Sequence, residues 1–268
     1  AHTEQRILRP TQRFQSIVLA TLLCLLSLAL PVHAQAKLAL VIGNSAYSNL
    51  PVLLNPANDA KLLSENLQKL GFTVSSLTDQ SQSQMKSAIA QFTQKVTDAG
   101  TDTIALLYYA GHGVQIEAMN YLLPVDVRAD SEDQVRDDAL ALSRVLEDLR
   151  EQKPALTLAV VDACRDNPFK GTGRAIGGRG LTGVGGANGQ MVIYSAGEGQ
   201  QALDSLSEQD PVKNGLFTRV FMKEMERPGV PIDQVARQVR AEVNRMALTV
   251  KHEQVPAIYD QVIGQYYF

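Results

Sequence analysis

The sequence predicts an α/β fold built on a mostly parallel sheet with helices on both faces, and three observations carry that expectation. Short apolar runs recur along the chain, as in "KLALVIGN" (37–44), "DTIALLYYA" (102–110), "ALTLAVVDAC" (155–164) and "QMVIYSAG" (190–197). They are apolar at consecutive rather than alternate positions, the pattern of strands covered on both faces. Amphipathic segments of about 12–17 residues lie between them, and strands alternating with helices make βαβ units.

The elements follow in order. "KLALVIGN" is a buried strand closed by Gly43-Asn44, and "NPANDAKLLSENLQKLG" (55–71) reads as a helix. Asn58 or Asp59 caps it, Leu62, Leu63, Leu67 and Leu70 recur at helical spacing, and Gly71 stops it. "FTVSSL" (72–77) is the second strand and "SQMKSAIAQFTQKV" (83–96) the second helix. The third and most apolar strand, 102–110, ends at Gly111-His112-Gly113. After "NYLLPVDV" the segment 136–152 is helical, the fourth strand ends at Cys164, and "QMVIYSAG" is the fifth. Two more helices are expected around 214–226 and 231–248, before a weak last strand near "AIYDQVIG" (257–264).

The chain of 268 residues has 45% hydrophobic and 20% charged residues, enough for one well-cored α/β domain and short for two. Residues 1–34 are set apart from it. Arg6, Arg9 and Arg13 precede "SIVLATLLCLLSLAL" and then "PVHAQA", which together read as a secretory signal peptide cleaved after Ala34 or Ala36. The apolar core is short for a membrane span, so membrane contact is expected only through this segment if it stays uncleaved. The expected location is exported, periplasmic or secreted, with the remaining domain at 35–268. Removing three Arg and one Glu from the totals of 25 basic and 28 acidic residues moves the net charge from −3 to −5, which argues against nucleic acid as a partner.

The same cleavage removes Cys24, His2 and His33, so the remaining domain holds one thiol, Cys164, and two imidazoles, His112 and His252. One thiol forms no intrachain disulfide; it is inert and buried, paired with another chain, or kept for reactivity. In a parallel sheet ligands bind beyond the carboxyl ends of the strands, and both His112 and Cys164 fall there. A thiolate with a neighbouring base is a nucleophile. The flanking glycines would allow an unusual turn and let a substrate chain pass close by, and the N–H groups of Gly113 and Cys164 are candidates for an oxyanion hole. No metal centre is predicted, because two imidazoles and one thiol give no HExxH or CxxC spacing. The fifth residue after Cys164 is not followed by the arginine of a phosphate loop but by Lys170.

Directly after the thiol, residues 165–190 form a segment with nine of the chain's 19 glycines and with Lys170, Arg174 and Arg179. A long loop of this kind in a compact domain is expected to be functional or disordered.

The blocks "LALVIGNSAYSNLPVLLNPANDAKLLSENLQKLGF", "LLYYAGHGVQ", "NYLLPVD", "LAVVDACRDNPF" and "NGLFTRVF" resemble, in this order, the caspase and metacaspase superfamily, closest to its bacterial caspase-like members, the orthocaspases. The resemblance implies a six-stranded, mostly parallel sheet between helices. It also implies a cysteine endopeptidase with His112 as general base or acid and Cys164 as nucleophile. Side chains on a strand repeat with period two, so Asp162 is on the same face as Cys164. A carboxylate there repels an acidic substrate side chain and pairs with a guanidinium or ammonium. Metacaspase-like relatives cut after Arg or Lys with an aspartate at this position, so the expected partner is a peptide or protein with Arg or Lys before the scissile bond (P1).

Glu198 and Asp204, in "YSAGEGQQALDS", fall where metacaspases carry further pocket or calcium-loop acids. The chain lacks a "DDQTSAD"-like cluster, so no cofactor is expected to be required and a role for calcium stays open; it has Arg165 where metacaspases commonly have His, which fits the bacterial caspase-like branch. If P1 is basic, Lys170, Arg174 and Arg179 are self-cleavage sites; a mobile substrate-binding loop is the other reading. The rival classes are a catalytically silent caspase-like module that binds peptides or proteins, and a hydrolase or ligase of small amides.

Overall fold

The computed structural model describes residues 35–116, 119–164, 189–197, 199–207 and 209–268. The expected signal peptide at 1–34, Glu198 and the glycine-rich segment up to residue 188 lie outside them. The strands are β1 (Ala36–Gly43), β2 (Thr73–Thr78), β3 (Thr103–Ile116), β4 (Met119–Leu122), β5 (Leu140–Ala141), β6 (Leu156–Cys164), β7 (Gln190–Tyr194) and β8 (Ala257–Asp260). The helices are α1 (Pro56–Lys69), α2 (Gln82–Ala99), α3 (Glu132–Asp138), α4 (Leu142–Glu151), α5 (Leu216–Met225) and α6 (Ile232–Thr249).

Six strands run in the order β2-β1-β3-β6-β7-β8, which is the sheet that the resemblance implies. The first five are parallel, and β8 closes the edge antiparallel to β7. The strand period divides the core. Ile104, Leu106, Tyr108 and Ala110 of β3, with Leu156, Leu158 and Val160 of β6, face α1, α5 and α6. Ala105, Leu107 and Tyr109, with Ala159, Val161 and Ala163, face α2 and α4. Burying one such Leu, Ile or Val contributes about 1.5–3 kcal/mol, so either face alone outweighs the weak intrinsic preferences of the segments. Among the described residues no helix is long and apolar enough to cross a membrane.

Three expectations are corrected. The third strand does not stop at the histidine. It runs on to Ile116 and folds back as β4, which pairs with it antiparallel, and β5 then pairs with β4. The glycines around His112 look like a stop in sequence, but the strand continues through them, with Gly111 opposite Ala163 of β6 and Gly113 opposite Leu122 of β4. The helix expected over 136–152 is two helices. Ser131 caps α3 by accepting the Gln134 N–H at 3.1 Å; Ala139 is extended, and Leu140–Ala141 is taken up by the sheet before α4 begins. Neither Asn58 nor Asp59 caps α1. Asn55 holds that position, Pro56 fills the first turn where no N–H is needed, and Asp59 is buried. The second helix begins at Gln82, with Ser81 and Gln84 capping reciprocally.

Candidate active site

The register between β3 and β6 runs from Ile104 opposite Leu156 to His112 opposite Cys164. The last pair of the ladder is thus the thiol residue and the imidazole residue, on adjacent strands whose ordinary spacing is about 4.8 Å. The other imidazole, His252, follows α6 and binds the Gln201 carbonyl at 2.8 Å; it takes no part in this pair.

His112 is 6% exposed and held at ring and backbone alike. Its Nε2 lies 2.8 Å from the Pro51 carbonyl oxygen, which only accepts, so Nε2 carries the hydrogen. In the neutral ring Nδ1 is then the basic nitrogen. The ring packs against Tyr47 with centroids 4.6 Å apart. The His112 N–H donates to Tyr47 Oη at 2.8 Å, and the Tyr109 hydroxyl reaches the His112 carbonyl at 2.7 Å. Both phenols also reach the Leu123 carbonyl, at 3.1 and 2.8 Å.

The unusual backbone expected at Gly111 is present, with φ 156°, but within the strand rather than in a turn. The room beside it goes to protein: a Cβ on Gly111 would stand 2.6 Å from Tyr47 Oη and 2.7 Å from Tyr109 Oη. Gly113 has another use. Leu123 N–H donates to the His112 carbonyl at 3.1 Å, which makes Gly113 and Leu122 the non-hydrogen-bonded type of antiparallel pair. The Gly113 N–H is therefore directed away from β4, to the side of β3 that carries β6.

Beside this pair, at the ends of β3 and β6, is a narrow pocket of about 20 Å³ that opens to solvent. Asp59, Asp162 and Asp204 line it together with Asn55, Ala110, Gly111 and Gly215, and among the described residues no Lys or Arg does. Asp162 accepts from Thr218 Oγ1 at 2.8 Å. Burial raises its carboxyl to about 6 against the hydroxyls of Thr218 and Ser195, with Asp204 adding to the rise. Asp59, 2% exposed, accepts from Asn214 Nδ2 at 2.6 Å and from the Gly215 N–H at 3.3 Å. Burial, then the charge of Asp162, push it to about 7 in spite of those two donors. Asp204 stands at the exposed mouth, where partial desolvation raises it and the His112 imidazole lowers it. Gly215 keeps the space between the two inner carboxylates open, since a Cβ there would lie 3.3 Å from Asp59 Oδ2 and 3.6 Å from Asp162 Oδ2. Three acids with raised carboxyls and, among the described residues, no neighbouring cation make a pocket that a positive group would relieve.

Two of the predicted pocket acids, Asp162 and Asp204, come together here; Glu198 lies outside the described residues. The sequence reading missed Pro51, Tyr47, Asp59, Asn214 and Thr218. The last two stand in the quoted block "NGLFTRVF", which was the available signal. Among the described residues no group of three or more His, Cys, Asp or Glu is arranged to hold a metal ion.

The human mucosa-associated lymphoid tissue lymphoma translocation protein 1 (Homo sapiens) and its mouse homologue (Mus musculus) are each 33% identical to this chain over 132 residues, which is 49% of the chain. The matched stretch is only 15% of the length of either relative. A family model described as the caspase domain of the C14 peptidases matches residues 36–267. The sheet order, the His112–Cys164 register and a match over nearly the whole described fold place this chain in the caspase-domain family.

Proposed function

We propose that this chain is a cysteine endopeptidase that cleaves after Arg or Lys, with Cys164 as nucleophile and His112 as its proton carrier. The observation that carries the reading is the register pair His112–Cys164 beside a pocket of three carboxylates. The P1 cation enters the pocket and compensates Asp162, Asp59 and Asp204, which sets the scissile carbonyl at the strand ends. The Cys164 sulfur attacks that carbonyl and its proton passes to His112 Nδ1. The N–H groups of Gly113 and Cys164 take the developing oxyanion. His112 then gives its proton to the leaving amine; the C–N bond breaks, and water hydrolyses the thioester with His112 as base. The Pro51 carbonyl keeps the ring tautomer fixed and favours the imidazolium, in the role an orienting acceptor plays for a catalytic histidine.

The finer parts of the reading belong to the same proposal. Residues 1–34 act as an export signal, the enzyme works in the periplasm or outside the cell, and Lys170, Arg174 and Arg179 are targets for self-processing. Kinship to bacterial orthocaspases rests on the order of sequence blocks, and a calcium effect is an outcome to be measured. The deciding experiment compares the mature chain with Cys164→Ala on peptides bearing Arg, Lys or Asp at P1, with calcium and with chelator. Turnover of the Arg and Lys peptides by the first protein alone is expected. Equal hydrolysis by both removes the thiol from the mechanism. Absence of turnover with intact peptide binding favours a silent binding module instead.

A further inference from the structure

Tyr108 and Thr218 take no part in the reaction just described, yet both are fully buried and their hydroxyls connect end to end with the pocket. Tyr108 Oη lies 2.6 Å from Thr218 Oγ1, and Thr218 Oγ1 lies 2.8 Å from Asp162 Oδ2. Each hydroxyl has one hydrogen and a carboxylate only accepts. Thr218 must therefore donate to Asp162 and receive from Tyr108, so the chain runs one way: Tyr108 O–H to Thr218 O–H to Asp162. Water does not reach its inner links, and in such surroundings each link strengthens the next.

We propose that Thr218, backed by Tyr108, is a positioning residue of the pocket, holding the Asp162 carboxylate in one orientation so that it meets an incoming guanidinium or ammonium already placed. The proposal rests on the reading of this pocket as the P1 site. Three arguments support it. A phenylalanine would fill the place of Tyr108 equally well, and a buried hydroxyl is costly unless it is bonded. Thr218 lies on α5, one turn beyond Gly215, so the segment that leaves space between the carboxylates also anchors one of them. Around Asp162 the charged and titratable groups are Asp59 from α1, Asp204 from the loop after β7 and Tyr108 from β3, with His112 acting on Asp204. Among the described residues none of the groups that bear on Asp162 directly is a cation, and the hydroxyl chain favours its charged form against two like charges.

An anchored carboxylate matters most to a planar, forked guanidinium and less to the compact ammonium of lysine. That difference gives a readout that a merely structural role would not move. The experiment measures kcat and KM for Arg and Lys reporter peptides from pH 5 to 8 on the full chain, on Thr218→Val, which removes the hydroxyl and keeps the shape, on Thr218→Ser, which keeps it, and on Tyr108→Phe. Calorimetry of agmatine binding to the same four proteins reads the pocket without turnover. Thr218→Val is expected to raise KM for the Arg peptide about 10-fold, as for loss of a hydrogen bond to a charged group. With it, kcat stays within about 2-fold, the Arg/Lys preference narrows, and the acid limb of kcat/KM moves to higher pH. Thr218→Ser restores all of these. Tyr108→Phe gives a smaller change in the same direction, and agmatine affinity follows the same order. Unchanged KM and agmatine affinity in Thr218→Val, or a Thr218→Ser protein as impaired as Thr218→Val, overturns the proposal. Should Thr218→Val fail to fold, the Thr218→Ser and Tyr108→Phe proteins decide it, since Tyr108→Phe must still narrow the Arg/Lys preference. A wild-type chain without preference for Arg or Lys overturns the pocket reading itself. A wild type that prefers Arg but is indifferent to Thr218 overturns only the hydroxyl chain.

Discussion

Tyr108 and Tyr109 are neighbours in β3, both fully buried and both pushed well above the usual phenol range, first of all by burial. They nevertheless belong to different halves of the site. Tyr108 points to the α5 side, where its second disturbance is the charge of Asp162 and its hydroxyl chain ends on that carboxylate. Tyr109 points to the α2 side, where its second disturbance is another phenol, Tyr47, and its hydroxyl ends on backbone carbonyls of His112 and Leu123. One residue step along a strand separates a device for charge from a device for backbone position. The period of two does this at no cost in sequence, and a slip of one residue would exchange the two roles.

Substitutions that break one half and spare the other sharpen this contrast. The largest effect is expected for His112→Ala, which removes the proton carrier and leaves the acidic pocket in place. Its kcat should fall on the order of 10³-fold or more, while agmatine affinity stays near that of the wild type. Comparable losses in both would mean that the ring also forms the pocket wall. Asp162→Asn is the converse. It keeps the shape and the Thr218 contact but loses the charge, and kcat/KM for Arg peptides should fall about 30- to 100-fold, as for breaking a desolvated charge pair, mostly through KM. Peptides with a neutral P1 residue should gain relative to Arg, and a uniform loss over all peptides would sink the specificity role.

Tyr109→Phe comes next and reads stability rather than specificity. It removes the one hydroxyl hydrogen shared between two buried carbonyls, at 2.7 and 2.8 Å, and an acceptor of the Leu123 N–H at 3.1 Å. A loss of about 1–3 kcal/mol is expected in denaturant unfolding, with the Arg/Lys preference unchanged in the folded protein. A changed preference would show that the backbone frame and the pocket are one unit, against the division drawn above.

How much of this could be read from the sequence follows from where each partner lies. β1, β3, β6 and β7 were legible because strands buried on both faces must be apolar at every position. β4 and β5 were not, because four residues and two residues are too short to show a period, and their pairing partner is an extension of β3 through glycines that look like a stop. That His112 and Cys164 meet at one sheet edge was legible because the domain holds so few candidates, and the place of Asp162 at the same strand end because it stands two residues before Cys164. Asp59 was misread as a helix cap: its local surroundings fit a first turn, and its true partners, Asn214 and Gly215, are 155 and 156 residues away. The hydroxyl of Thr218 has no local meaning either, since Asp162 and Tyr108 are reached only through the packing of α5 on the sheet.

The smallest predicted effect concerns pH. Asp59 and Asp162 have carboxyls raised in the folded chain to about 7 and about 6, so the folded state holds their protons more tightly than the unfolded state does. Their contribution favours folding while those protons are held and is lost as pH rises from the ordinary carboxylate range through 6 and 7. Asp138, Asp210, Glu147 and Glu242, whose carboxyls are lowered by hydrogen bonds to arginines and backbone amides, act in the opposite sense. Their window lies below about pH 4 to 5, where unfolded carboxylates titrate, so it does not mask the first. The phenols of Tyr108 and Tyr109 stay protonated throughout, and the carboxylates whose values are raised into the interval between pH 5 and 8 lie in the pocket half. Melting curves are expected to fall by a few degrees over that interval, since 1 kcal/mol moves a chain of this size by about 2–4 °C. Asp59→Asn should flatten the fall. Agmatine should stabilise the wild type more at pH 8, where the pocket is charged, than at pH 5. Equal stabilisation at both, or an Asp59→Asn curve parallel to that of the wild type, would mean that the three carboxylates share their charge with a group elsewhere and that the pocket is not the part of the molecule waiting for a cation.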